Sequence, residues 1–171
     1  MSVQILLLLV FPVLVVTAAL RDLVSFRIPN WISAALIAAF FPAAFVCGMD
    51  LPVVGMHLAV FAGVLIGGVA MFALGWIGGG DAKLFAAAAL WLGWPALAPY
   101  LMVTCIAGGG LAMMLLAARS AVIQPLLSTG PGWLARLVTP GENVPYGVAI
   151  GIGALAALPQ APLMTLAGAA A

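Results

Sequence analysis

The chain has 171 residues, of which 67% are hydrophobic and only 5% charged, with a mean hydropathy of +1.33. That composition leaves too little polar surface for a water-soluble fold, and at about 20 apolar residues per crossing the length allows five or six membrane helices with short loops. The long apolar runs lack the alternation of a barrel, so the expected class is an all-α membrane protein, a polytopic bundle of about six transmembrane helices making one domain over residues 1–171. A net charge of +1 says nothing about nucleic acid, but no Lys/Arg run suggests a basic binding patch, so no nucleic-acid partner is expected.

Residues 3–20 are the first predicted helix. Met1 to Gln4 carry no basic flank and the first arginine follows the apolar run, so this segment is expected to be a retained helix and not a cleaved leader. Arg21 to Asn30 reads as a polar loop in which Ile28-Pro29-Asn30 stops helical continuation. Asn30 is expected to cap a second helix over residues 31–47. A third helix, residues 53–76, contains Gly63-xxx-Gly67, a spacing that lets two backbones approach closely. After Gly78-Gly79-Gly80-Asp81-Ala82-Lys83 the apolar segment 82–94 is short for a full crossing, and Trp94-Pro95 is the expected break before a fifth helix over residues 96–118. Residues 119–143 form the longest loop. The sixth helix, residues 145–169, carries Gly147-xxx-Gly151, and Pro159 and Pro162 disturb its far end.

With six crossings, the loops after helices 1, 3 and 5 share one side and contain Arg21, Arg27, Lys83, Arg119 and Arg136, all five basic residues of the chain. The positive-inside bias then predicts those loops in the cytoplasm and both termini outside. Asp22 and Asp81 consequently lie at cytoplasmic helix ends separated by one hairpin, where two carboxylates can meet. Such a pair can share a proton, one acid activating water while the other donates to a carbonyl, as in aspartic peptidases. The glycines before Asp81 permit the close backbone approach this needs.

Three blocks now stand in order: Asp22 with Arg27-Ile28-Pro29-Asn30, then Gly78-Gly79-Gly80-Asp81-Ala82-Lys83, then Val144-Pro145-Tyr146-Gly147-Val148-Ala149. They resemble the conserved blocks of the type IV prepilin peptidases, GxGD aspartic peptidases whose motif is shared by archaeal preflagellin peptidases and presenilin. The resemblance implies that Asp22 and Asp81 are the catalytic pair. It also implies a prepilin or pseudopilin substrate, cut at the cytoplasmic face of the bacterial inner membrane between a basic leader and an apolar N-terminal helix. The large insertion with paired CxxC motifs that accompanies methyl transfer in bifunctional members is missing between helix 1 and Asp22. The chain is therefore similar to the short CpaA/TadV peptidases of Tad (Flp) pilus systems, and cleavage without a methyltransferase domain is expected.

The remaining residues are weighed one by one. Gly78, Gly79, Gly80 and Lys83 form the expected active-site loop, and Arg27, Pro29, Asn30, Pro145, Tyr146 and Gly147 are candidate site-lining residues. Taken alone, Asp81 is equally readable as a helix cap and Asp22 as a juxtamembrane charge. Lys83 and Arg27 read first as positive-inside anchors, Asp50 and Glu142 as solvated charges, and His57 as a polar packing residue on the side away from the acids. Cys47 and Cys105 are far apart and form no metal-spaced cluster, so no metal and no cofactor are expected. Helix dipoles favour a carboxylate at Asp81 more than at Asp22, which gives the two acids unequal expected roles. The alternative is a small proton- or solute-coupled transporter, which calls for acids near mid-membrane and an internal repeat; neither is visible. The oligomeric state is not legible.

Overall fold

The computed structural model describes residues 3–169. Its elements are all helical: α1 (Val3–Ser25), α2 (Asn30–Val46), α3 (Leu51–Ala73), α4 (Gly79–Ala118), α5 (Gln124–Leu127), α6 (Gly132–Leu137), α7 (Tyr146–Ala157), a 3-10 turn (Leu158–Gln160) and α8 (Pro162–Ala169). Helices α1, α3 and α4 are each long and apolar enough to cross a membrane, and α2 and residues 146–160 are shorter apolar helices. The architecture is the expected all-α membrane bundle.

Helix α1 buries Phe11, Val15, Ala18 and Asp22. These follow one another at steps of four, three and four, so a single stripe of the helix faces the interior. Val3, Leu6, Leu9, Val13, Val16 and Leu20 point outward, where lipid is the solvent that suits them. The helix continues past the expected end at residue 20, because Arg21 to Ser25 contain no breaker. It stops at Phe26, whose φ of 53° is left-handed, and Asp22 is thereby held inside the helix on its apolar stripe.

Helix α4 is two arms. Gly93 has φ 67° and ψ −174°, and the Tyr100 hydroxyl donates to the Phe85 carbonyl at 3.2 Å. In a straight helix those two residues would stand about 22 Å apart, so the arms fold back on each other at Gly93. The expected break at Trp94-Pro95 falls at Gly93 instead, since the turn needs a left-handed residue. The first arm, residues 79–92, is the centre of the bundle: Ala86 to Leu92 are all buried, and small side chains let α1, α2, α3 and α7 close around it. Trp91 fixes its far end by donating Nε1 to the Leu36 carbonyl at 2.8 Å and packing 5.3 Å from Phe11.

His57 seals the fold-back. It is 1% exposed, stacks 5.4 Å from Phe40 and donates from Nδ1 to the Leu90 carbonyl at 2.6 Å, satisfying an acceptor near the end of the arm. The sixth expected helix is interrupted where its prolines suggest, as α7, the 3-10 turn and α8. Its glycines are used: Cβ atoms at Gly151 and Gly147 would come within 3.2 Å of Ala19 and 2.9 Å of Asp22, so α7 lies hard against α1. Gly63 and Gly67 meet nothing; on α3 the close contact is at Gly68, where a Cβ would stand 3.2 Å from that of Ala82. Within the expected loop 119–143, α5 and α6 form, pinned where Arg119 donates to the Leu137 and Asn143 carbonyls at 2.9 and 3.1 Å.

A methyl at Gly93 would combine a left-handed backbone with a Cβ 2.5 Å from His57 Cε1. Gly93→Ala is expected to destabilise the protein in detergent by roughly 2 kcal/mol. In a His57→Ala background the added loss is smaller, a non-additivity that denaturant titration of the double-mutant cycle measures.

Candidate active site

The site is built from the C-terminal end of α1, the residues 26–30 that follow it, the start of α4 and the start of α7. Asp22 is 5% exposed. Its Oδ2 accepts the Gly147 backbone N–H at 2.7 Å, in the first turn of α7, where unpaired N–H groups and the helix dipole favour an anion. Asp22 thus sits at the C-terminal end of one helix and the N-terminal end of another, which removes the dipole asymmetry expected between the two acids.

Asp81 occupies the third position of α4 and accepts the Gly78 N–H at 3.2 Å through Oδ2, a capping role exercised from inside the first turn. The glycines are correspondingly less of a loop than expected, since α4 already begins at Gly79. The left-handed residue of the connection is Gly75, with φ 74°, just before the motif. Gly80 serves close approach: a Cβ there would lie 3.2 Å from Ile28 Cβ and 3.4 Å from the Ile28 carbonyl. A glycine at this point lets the start of α4 touch the segment leaving Asp22.

Both acids line one cavity of about 290 Å³, together with Phe26, Ile77, Asn143 and Tyr146. They also share a second, of about 520 Å³, with Arg27, Pro29, Asn30 and Gly78 to Gly80. Of the sequence-predicted residues, Arg27, Pro29, Asn30 and Tyr146 therefore line the acids' cavities and Gly147 bonds to Asp22. Pro145 is a buried N-cap of α7 that lines neither. Lys83 turns away, donating to Asn30 Oδ1 at 3.0 Å, and Asn30 is the first residue of α2 and not its cap. Phe26 was not foreseeable, because nothing in its sequence context marks a left-handed aromatic. Arg136 lies over its ring at 5.3 Å and makes a 3.7 Å exposed ion pair with Glu142, a contact worth little by itself. Among the described residues no three His, Cys, Asp or Glu side chains converge as a metal site would.

Fold and site together define a polytopic helical membrane protein with two acids that line shared cavities of about 290 and 520 Å³ at one end of its bundle. The sequence model of the type IV leader peptidase family matches residues 9–113, a stretch that holds Asp22, Asp81, the first arm of α4 and most of the second. The chain belongs to the type IV leader peptidase family, and it is a membrane peptidase of that kind. No curated protein and no solved structure gave a match.

A Cβ at Gly147 would stand 2.9 Å from Asp22 Cβ and Oδ2 and from Ile28 Cδ1. Gly147→Ala is therefore expected to push Asp22 out of place and lower peptidase activity by about 10- to 100-fold, while the melting temperature in detergent moves by only a few degrees. Unchanged turnover would show that the Asp22 contact is dispensable.

Proposed function

We propose that this chain is an aspartic endopeptidase that removes the leader peptide from type IV prepilins or pseudopilins of the Flp/Tad kind at the cytoplasmic face of the bacterial inner membrane. The observation that carries the reading is the pair of acids, brought from two helices into the same cavities in a protein with only four acidic residues.

In this mechanism the unprotonated member of Asp22/Asp81 takes a proton from water as the oxygen attacks the scissile carbonyl. The protonated member donates to the carbonyl oxygen, giving a neutral tetrahedral diol. On collapse, the acid that took water's proton gives it to the leaving amine while the other acid takes one from a diol hydroxyl; the C–N bond breaks, the carboxyl product forms and the pair again holds one proton in its starting arrangement. The backbone donors at Gly78 and Gly147 hold the carboxylates while the proton moves between them. Buried acids of this kind need their hydrogen bonds intact, since an unsatisfied buried charge costs several kcal/mol.

The clustering of basic residues supports the cytoplasmic orientation with both termini outside. Arg119 reaches Asn143, Arg136 reaches Phe26 and Lys83 reaches Asn30, so these charges gather at the acids' end of the bundle. Methyl transfer is not part of the reading, because α1 runs into Asp22 without an inserted domain.

Asp22→Asn and Asp81→Asn are each expected to reduce cleavage of a co-expressed short prepilin by at least about 10²-fold with helix content retained. Mass spectrometry of the pilin N-terminus provides the readout, and wild-type product should carry a free, unmethylated amine. Persistent cleavage by either variant would reject the carboxylate pair.

A further inference from the structure

The end of the bundle away from the acids holds a hollow of about 320 Å³ that peptide cleavage does not use. Its rim is Pro52 at the start of α3 and Pro162 at the start of α8, and its side is Trp94 and Pro95, just past the reversal of α4. His57 lines it more deeply: Val53, four residues earlier, stands one turn or about 5.4 Å nearer the mouth on the same face of α3. The ring is held in one tautomer. Nδ1 bonds the Leu90 carbonyl only by carrying the proton, which leaves Nε2 of the neutral ring as a bare acceptor. That nitrogen is buried without a partner, on the side of the ring that faces Gly93, next to the wall made by Trp94 and Pro95. Every other side chain lining the hollow is apolar or, at Trp94, itself an N–H donor. A buried acceptor left unpaired by the protein calls for a donor from outside.

We infer that this hollow binds the headgroup of phosphatidylethanolamine, with the ammonium donating to His57 Nε2 and standing against the Trp94 ring. The inference is independent of the peptidase reading and asks only that the chain sits in a bilayer. A primary ammonium supplies the missing N–H, which a quaternary choline headgroup does not. Trp94 is 66% exposed, so its ring is open to a cation, and tryptophan is the residue enriched at headgroup level. Charge selects in the same direction. Arg21 and Arg27 flank Asp22, and Lys83, Arg119 and Arg136 gather at the acids' end, so Asp50, the N-cap of α3, is the one charged side chain among the described residues at this end. It attracts an ammonium, while an anionic lipid finds no cation here to hold its phosphate.

The test exploits His57 being the only histidine of the chain: the full-length protein, purified without a histidine tag and labelled with ¹⁵N-histidine, gives one pair of ring signals. It is placed in phosphatidylcholine nanodiscs, alone or with equal fractions of phosphatidylethanolamine or phosphatidylglycerol. The Nε2 resonance is expected to move upfield with phosphatidylethanolamine only, and native mass spectrometry should show that lipid retained over phosphatidylcholine by roughly 10-fold. Val53→Trp, which blocks the way to His57, should abolish the shift. Trp94→Leu, at an exposed position, should cut the retention several-fold, and it carries the test if Val53→Trp does not fold. An Nε2 resonance that is the same in all three bilayers, as with an empty or water-filled hollow, overturns the inference. So does an equal shift with phosphatidylglycerol, which would make the donor a hydroxyl, or full retention by Trp94→Leu.

Discussion

The hydrogen bond from the Gly147 N–H to Asp22, 2.7 Å long and joining residues 125 positions apart, is the interaction on which the site depends. A carboxylate inside an apolar bundle is tolerated only when polar partners replace water, and a charge-assisted bond of this type contributes about 1.5–3 kcal/mol. The bond exists because α7 lies directly on α1. That proximity in turn requires glycine at both positions 147 and 151, where any side chain would strike α1. One packing decision therefore sets the distance between two helices, supplies the donor and fixes the acid.

The second constraint is the reversal at Gly93. Folding α4 back on itself surrounds the first arm with other helices, and its run of alanines is the sequence solution to being packed on all sides. His57 belongs to this constraint: its donation to Leu90 and its stacking on Phe40 anchor the far end of the arm that carries Asp81. A residue remote from the acids thereby contributes to the rigidity of the element that presents one of them.

Much of this was legible in the sequence. Apolar length gave the all-α membrane class, and the glycine-rich stretch and the polar residues after the first apolar run marked Asp81 and Asp22. Asp22 also falls in step with Phe11, Val15 and Ala18, so the helical period alone assigns it to the interior once the helix is known to reach Ser25. What escaped was local. Helix ends depend on single left-handed residues such as Phe26 and Gly75, which hydropathy does not report. The choice between two equivalent small-residue patterns, Gly63-xxx-Gly67 and Gly147-xxx-Gly151, is made by which neighbour is present to be touched. Lys83, adjacent to the motif in sequence, is carried round the helix to Asn30 because residues two apart do not share a face.

Chain order gives the Asp22–Gly147 bond a temporal meaning. Synthesis proceeds from the N-terminus, so Asp22 reaches the bilayer long before residue 147 has been made. Until α7 arrives, the acid lacks its backbone donor and the hollow it shares with Asp81 lacks the wall contributed by Tyr146. Completion of the last helices is thus the event that gives Asp22 its donor and closes the smaller hollow; before it, the two acids have in common only the cavity lined by residues 26–30 and Gly78 to Gly80.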